Sequence, residues 1–266
     1  MAAENAMQIF TLLDKSNCGK CGEKTCLAFA GAVFTGKKAI SACPTLDPEA
    51  AKQFAAPKEE PQAAVTDDYV VEMKKALGSL DFSAAAERCG ATTKNGWIAA
   101  KVMGKEFRVN REGQFSSDIH VTPWVTGPFL SYILHGKGLE PTGNWITYRE
   151  VEGGRERYGL FQQRTENDLR KVADAYPDLF RDMVEIFQGS KVEDQFEADI
   201  SVVLLPLPKV PVMISYWLPD DGLESSLNIF FDETVNDNLG NDGIYSICAG
   251  LTTMFEKLAE RHGFAV

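Results

Sequence analysis

The sequence predicts an α+β fold, in which a small helical module precedes a larger domain that has a mainly antiparallel sheet covered by helices. Three observations predict this fold. Four of the six cysteines lie before residue 45, a segment rich in proline, alanine and acidic residues follows them, and β-branched apolar runs separated by short turns come near the end of the chain. We therefore predict a module over residues 1–54, a linker over 55–68 and an α+β domain over 69–266.

The module is predicted to contain two short helices, one before Cys18 and one after Cys26. Apolar residues occur at helical intervals in residues 3–14 and again in residues 27–34. The second of these segments is also rich in alanine and glycine, which permit close approach. It could therefore lie against a bound group and keep water from one side of it.

The cysteines of the module have a spacing that indicates a metal cluster. Cys18, Cys21 and Cys26 lie within nine residues, and Cys43 follows at a distance, directly before Pro44. The glycines between the first three cysteines allow the loop to fold tightly, so that three thiolates can face one side of a compact inorganic core. A cysteine followed by proline is the usual last ligand in bacterial ferredoxin-like runs. The spacing therefore predicts an iron-sulfur cluster with four cysteine ligands.

Two other uses of four cysteines compete with this prediction. Zinc sites of four cysteines normally pair two short knuckles, whereas here only Cys18 and Cys21 form one, and sixteen residues separate Cys26 from Cys43. Disulfides are disfavoured because the N-terminus lacks the basic region and long apolar core of a secretory signal, which predicts a cytoplasmic protein with reduced thiols. A scaffold protein stabilised by zinc stays open as an alternative.

The segment from Leu12 to Pro44 resembles a known module. It is similar to the four-cysteine [4Fe-4S] module at the N-terminus of the large subunit of corrinoid iron-sulfur proteins. Similar modules occur in the gamma subunit of acetyl-CoA decarbonylase/synthase and in electron-transport subunits of anaerobes. The rest of the chain resembles an uncharacterised family that is often joined to this module in anaerobic bacteria and archaea.

This resemblance implies a role for the module. It implies that the four cysteines bind a [4Fe-4S] cluster, and that the protein transfers one electron at a time to a redox or corrinoid-dependent protein partner in anaerobic metabolism. In the corrinoid proteins the module supplies an electron to oxidised cobalt. Those proteins continue into a large barrel domain that this sequence lacks. A corrinoid (cobalamin) bound to the larger domain and reactivated by the cluster is therefore the alternative function.

The elements of the larger domain follow the linker in order. Residues 55–68 contain two prolines, four alanines and four acidic residues without apolar periodicity, which is typical of a linker. After it the apolar pattern predicts a first helix from Tyr69, a hairpin around Gly104, a helix over residues 124–135 and a helical segment over 167–188 that is broken at Pro177. The last elements are an antiparallel meander of three strands over residues 199–205, 210–217 and 227–231, and a helix over residues 243–262.

No catalytic constellation is present in the larger domain. The sequence contains no P-loop, no G-x-G-x-x-G after a strand, no H-E-x-x-H and no G-x-S-x-G, so a non-catalytic protein is predicted. Cys89 and Cys248 are predicted to be small buried apolar residues. The acidic segment over residues 232–242 does not match a calcium loop and is predicted to be a solvated loop. Five aromatic residues and histidines are candidates for a corrinoid pocket, although they would serve equally well as core: His120, Trp124, Phe129, Tyr132 and His135.

Charge and composition limit the partners. The net charge is −11, and because residues 1–60 contain seven basic and seven acidic residues, residues 61–266 contain twenty basic and thirty-one acidic ones. Such an acidic domain is a poor partner for nucleic acid and favours transient docking to a basic protein surface. No run of eighteen apolar residues occurs, so no membrane span is predicted.

Overall fold

The computed structural model describes residues 6–34, 38, 40–46, 62–176, 178–192, 196–220 and 222–264. The chain divides into two compact units, Met1–Asp67 and Asp68–Val266. A small helical segment comes first, and antiparallel sheets with helices follow, so the α+β prediction is confirmed. No helix in the described ranges is both long and apolar enough to cross a bilayer.

The N-terminal unit contains two short helices, α1 (Ala6–Leu12) and α2 (Cys26–Phe34), and a 3-10 turn (Ile40–Ala42). Helix α2 begins after Thr25, whose hydroxyl oxygen accepts a hydrogen bond from the backbone N–H of Ala28 at 3.1 Å and so caps the helix. Apolar side chains from both helices and the turn form a small separate core together with two of the cysteines: Ile9, Leu13, Cys26, Phe29, Ala30, Val33, Ile40 and Cys43.

Helix α3 (Gln62–Ala76) and helix α4 (Phe82–Cys89) come next. The predicted linker lies outside the described residues over 55–61, and α3 begins within its remaining part, so the domain boundaries stay predictions. The sequence pattern did not predict α4. This helix is capped at its start by Asp81, whose carboxylate accepts hydrogen bonds from the N–H groups of Ser83 and Ala84, and it ends at Gly90 in the left-handed conformation.

The first sheet has four strands in sequence order: β1 (Thr92–Lys94), β2 (Trp97–Val102), β3 (Lys105–Asn110) and β4 (Phe115–Ser117). All neighbours are antiparallel. The predicted hairpin is confirmed, because Val102 pairs with Lys105 across Met103 and Gly104, whose φ angles are 49° and 74°. Two positive φ angles are what a tight two-residue hairpin requires.

Four helices follow the first sheet along the chain, and one short strand of the second sheet lies between the first and second of them: α5 (Pro123–His135), α6 (Gly154–Phe161), α7 (Asn167–Ala175) and α8 (Leu179–Glu185). The segment Gln162–Glu166, between α6 and α7, is one turn of π-helix. The predicted interruption of the helical pattern over residues 167–188 is observed as the gap between α7 and α8. Pro177 itself lies outside the described residues.

The second sheet contains five antiparallel strands: β5 (Trp145–Thr147), β6 (Ser190–Lys191), β7 (Ile200–Leu207), β8 (Val210–Trp217) and β9 (Ser226–Asp232). Their spatial order is β5-β9-β8-β7-β6, so the predicted meander is β7-β8-β9. A short α9 (Val235–Asn238) and a long α10 (Gly240–Arg261) end the fold, and α10 packs on α5 and α7. These elements bury one large core.

Candidate metal centre

The loop that joins α1 to α2, residues 13–25, is the cysteine loop, and its backbone has an unusual conformation. Lys15, Asn17 and Gly19 have φ angles of 58°, 52° and 70°, whereas the residues between them do not have positive φ. Gly22 is also left-handed, at 83°, and its N–H donates to the carbonyl oxygen of Gly19 at 2.9 Å. Alternation of right- and left-handed residues turns successive N–H groups toward one concavity, which is how many iron-sulfur sites bind their anionic sulfur.

Two polar side chains hold this loop in place. Asn17 accepts a hydrogen bond from the backbone N–H of Cys26 at 2.7 Å and so ties the loop to the start of α2. Asp14 accepts from the backbone N–H of Ser16 at 3.1 Å and from its hydroxyl at 2.9 Å. These hydrogen bonds lower the pKa of the Asp14 carboxyl. The loop is therefore shaped by the protein's own side chains.

The four cysteines differ in exposure. Cys18 is exposed, Cys21 is half-buried, and Cys26 and Cys43 are buried in the small core. Cys26 is the first residue of α2, where the positive end of the helix dipole stabilises negative charge. Its thiol donates to Asp14 at 3.8 Å, and the sulfur of Cys43 lies 3.3 Å from the hydroxyl of Thr45. One side of the site is therefore enclosed by apolar side chains and the other is open to water.

The exposed Cys18 is suited to act as a metal ligand. A hydrogen bond from the backbone N–H of Lys20 and a second from the side chain of Ser16 lower the pKa of the Cys18 thiol, and the charge of Lys20 acts in the same direction. A lowered pKa increases the thiolate fraction, and the thiolate is the form that binds metal.

Lys38 connects the chain after α2 to the cysteine loop. Its ammonium group donates to the carbonyl oxygen of Cys21 at 2.9 Å and forms an ion pair with Glu23 at 2.8 Å. The same nitrogen lies 3.1 Å from the position that a β-carbon on Gly22 would occupy. A side chain at residue 22 would therefore press on Lys38 as well as strain a backbone with φ of 83°.

All six cysteines are free, and Cys89 and Cys248 are buried in the large core, as predicted. Among the described residues, no group of three or more His, Cys, Asp or Glu side chains lies close enough to hold a single metal ion. The donor set nevertheless fits an iron-sulfur cluster: four free thiols lie in one small unit, and three of them are on or next to a loop that contains four left-handed residues. The roles of the four cysteines as ligands stay a prediction.

The residues predicted for a corrinoid pocket do not share one surface. His120 and His135 are exposed, Trp124 is 42% exposed, and Phe129 and Tyr132 are completely buried. Phe129 packs against the ring of Phe107 at 4.9 Å. The hydroxyl of Tyr132 donates to the carbonyl oxygen of Cys89 at 2.8 Å and accepts from the N–H of Lys209 at 3.2 Å. The larger unit thus uses the buried pair as core, and corrinoid binding by this set stays a prediction.

The prediction of a solvated loop over residues 232–242 is wrong, because the segment forms α9 and the start of α10, and Asp232 is buried. This residue is 1% exposed and accepts hydrogen bonds from the N–H of Gly143 at 2.7 Å, the N–H of Thr234 at 3.1 Å and the hydroxyl of Thr234 at 2.7 Å. Burial raises the pKa of this carboxyl, but the hydrogen bonds lower it further, so the net shift is downward. Asp232 therefore fixes the chain before β5 to the end of β9.

Glu166, a buried carboxyl that the sequence pattern did not single out, lies in the π-helical turn. Its two oxygens accept hydrogen bonds from the N–H of Ile229 and the hydroxyl of Tyr158, both at 3.1 Å. Arg170, one helical turn later, donates to the carbonyl oxygen of Ser225 at 3.1 Å. Strand β5 pairs only with residues 230–232, and Glu166 supplies an acceptor for the N–H of Ile229, the next residue of β9 beyond this pairing. Burial raises the pKa of Glu166.

Two family models match the chain, one within the N-terminal unit and one within the larger unit. A family model described as "Putative Fe-S cluster" matches residues 13–45. A second model, described as "Domain of unknown function (DUF3786)", matches residues 81–254. No solved structure matches the chain.

The curated relatives match the N-terminal region. The gamma subunit of the acetyl-CoA decarbonylase/synthase complex of Methanopyrus kandleri is 42% identical over 54 residues, which are 20% of this chain and 12% of the relative. The corrinoid/iron-sulfur protein large subunit of Moorella thermoacetica is 39% identical over 59 residues, 22% of this chain and 13% of the relative. The chain thus spans less than a fifth of the length of either relative. These findings confirm the resemblance and support iron-sulfur binding by the module.

Proposed function

We propose that this chain, which belongs to the family described as a domain of unknown function (DUF3786), holds a [4Fe-4S] cluster on Cys18, Cys21, Cys26 and Cys43 and transfers single electrons to a protein partner. One observation carries the proposal. The segment matched by the iron-sulfur family has four free thiols, and the loop that bears the first two of them alternates left-handed residues, a backbone pattern that forms anion-binding concavities. When bound, the cluster accepts and donates one electron at a time.

The residues around the cysteines would have separate tasks. Asn17 fixes the loop to the start of α2, and Lys38 fixes it to the chain that follows α2. Lys20 and Ser16 favour the thiolate of Cys18. Phe29 and Val33, both buried, exclude water from the side of the site that faces the small core. The exposed side, which carries Cys18, would face the partner.

Anaerobic reconstitution with iron and sulfide tests the proposal. We expect about four irons and four sulfides per chain, broad absorption near roughly 400 nm, and an electron paramagnetic resonance signal that appears on one-electron reduction. Cys18→Ala should lose the iron, whereas Cys89→Ala, which removes a thiol from the larger unit, should keep it. A colourless protein with one zinc per chain would instead establish the scaffold alternative and overturn electron transfer.

The partner belongs to the proposal as well. The relatives are, by name, a subunit of an enzyme complex and a corrinoid/iron-sulfur protein. By analogy we propose that this chain works with a protein partner of anaerobic metabolism. Corrinoid binding is supported only by a similarity that covers the module and not the larger unit. Titration of the protein in its oxidised state with hydroxocobalamin, followed by the visible spectrum of the corrinoid, tests it: an unchanged corrinoid spectrum would eliminate that alternative and leave the cluster assignment intact.

A further inference from the structure

The larger unit carries an open groove at the end of the β8–β9 hairpin, with a volume of about 460 Å³. We name it the acidic groove. Apart from two polar residues of β9, it is lined by three apolar and three acidic side chains: Trp217, Leu218, Leu223, Asp199, Asp220 and Glu224.

The walls of the acidic groove are held by hydrogen bonds. The indole N–H of Trp217 donates to the carbonyl oxygen of Glu197 at 3.1 Å, and the N–H of Leu218 donates to the carboxylate of Asp199 at 2.8 Å. The turn beyond the strand closes through a hydrogen bond from the N–H of Leu223 to the carbonyl oxygen of Asp220 at 2.8 Å. These hydrogen bonds join the segment before β7, the end of β8 and the turn that follows it, so the groove is built by the backbone of the larger unit.

The apolar part of the groove is unusually open to water. Leu218 is 52% exposed and Leu223 is 75% exposed. The two leucines and the indole of Trp217 line the groove together, so they present apolar surface next to its carboxylates. Their burial by a partner would be favourable because it removes apolar area from water.

The charge of the groove has one sign. None of its lining residues is basic, and no basic side chain among the described residues forms an ion pair with Asp199 or Asp220. Glu224 lies 3.4 Å from Arg170, but its side chain is still 88% exposed. Residues 61–266 as a whole carry eleven more acidic than basic residues, twenty against thirty-one, so the surrounding field also attracts cations. Lysine and arginine combine an apolar stem with a cationic end, which matches both parts of the groove.

We propose that the acidic groove docks a protein partner through a segment in which lysine or arginine stands next to large apolar residues. The groove lies within the larger unit, and its role does not depend on metal bound to the module. It gives the DUF3786 domain a function of its own, that of a recognition surface.

Fluorescence anisotropy of the full chain with a short labelled peptide that alternates lysine and leucine tests this proposal. We expect binding at low salt, about ten-fold weaker binding to the double variant Asp220→Lys/Glu224→Lys, and about three-fold weaker binding to Leu223→Ser. A peptide with glutamate in place of lysine should not bind.

Matched controls separate the groove from the general negative charge. The double variant Glu87→Lys/Glu112→Lys changes the net charge by the same amount as the groove variant, but at two exposed carboxylates of α4 and the β3–β4 turn. Leu160→Ser removes an exposed leucine of α6. Both should bind the peptide as the unmodified chain does. An equal loss with the control pair would overturn the proposal, as would carbodiimide cross-links to the peptide that map to carboxylates outside the groove.

Discussion

The two units of the chain contrast in what can hold them together. Among the described residues, the core of the N-terminal unit consists of eight side chains, and two of these are cysteines. The larger unit buries aromatic and aliphatic side chains from both sheets and from all its long helices. Small domains bury too little apolar area to be stable alone and usually depend on metal or disulfides. The cysteines that bind the cluster would therefore also supply, through the bound metal, much of the stability of the module.

Removal of iron should therefore act on one unit only. An iron chelator added to the anaerobically reconstituted, reduced protein is expected to unfold the module, because ligand binding to such small units supplies on the order of 10 kcal/mol. Hydrogen exchange measured before and after chelation should show loss of protection in α1 and α2, with β2, β3 and β7–β9 still protected. If α2 kept its protection after the iron was removed, the module would not depend on metal for its stability, and the proposed contrast between the two units would be wrong.

A substitution in the core of the larger unit should have the converse effect: it should destabilise that unit and leave iron binding by the module unchanged. Phe129 is completely buried against Phe107, so Phe129→Ala should lower the free energy of unfolding of this unit by about 3–5 kcal/mol. Urea denaturation measures this loss, and Trp124→Ala, at an exposed position of the same helix, is the control with a smaller effect. The iron content of the reconstituted protein should stay the same. If Phe129→Ala lost its iron, the stability of the two units would be coupled.

The two units also differ in how well the sequence predicts them. In the module, apolar residues at helical intervals predicted the two short helices, and the cysteine spacing predicted the candidate ligands, because thiolate chemistry leaves few alternatives for four cysteines. In the larger unit, the hairpin at Met103 and Gly104 and the meander β7-β8-β9 followed from local periodicity. The two-residue strand β6 and the three-residue β5 carry too little pattern to be recognised. Asp232 and Glu166 were missed as buried groups because their partners, Gly143 and Ile229, are distant in sequence.

Asp232 provides a prediction of intermediate size. It is a buried carboxylate with hydrogen-bond donors on both oxygens, so Asp232→Asn should cost the larger unit about 2–3 kcal/mol at neutral pH, since hydrogen bonds to charged groups are the stronger ones. Because the folded pKa of Asp232 is lowered, its contribution is present above the ordinary value of 3.8 and is lost as the pH falls through the lowered pKa. Urea midpoints of both proteins between pH 3 and 7 should therefore converge in acid. Parallel curves would contradict the assignment.

Glu166 should show the opposite pH dependence with a smaller effect. Burial raises its folded pKa, so its contribution to stability is present below the ordinary value of 4.5 and is lost as the pH rises through the raised pKa. Glu166→Gln keeps an acceptor for Ile229 and a polar partner for Tyr158 but does not ionise. The variant should therefore gain stability relative to the unmodified chain as the pH increases, in the same urea series. A constant difference would show that Glu166 stays in one protonation state.

The smallest effect is expected in the cysteine loop, where two variants of Asn17 separate a hydrogen bond from a backbone conformation. Asn17→Gly removes the acceptor for the N–H of Cys26 but tolerates the φ of 52°, and it should cost about 1 kcal/mol. Asn17→Ala loses the same bond and also strains the left-handed backbone, so it should cost about 1 kcal/mol more. The rate of iron release to a chelator measures both, and release should be faster for alanine than for glycine. Equal rates would mean that the loop can leave its left-handed conformation without loss of the metal. The backbone conformation of the cysteine loop would then not be a feature that sets the module apart from the larger unit.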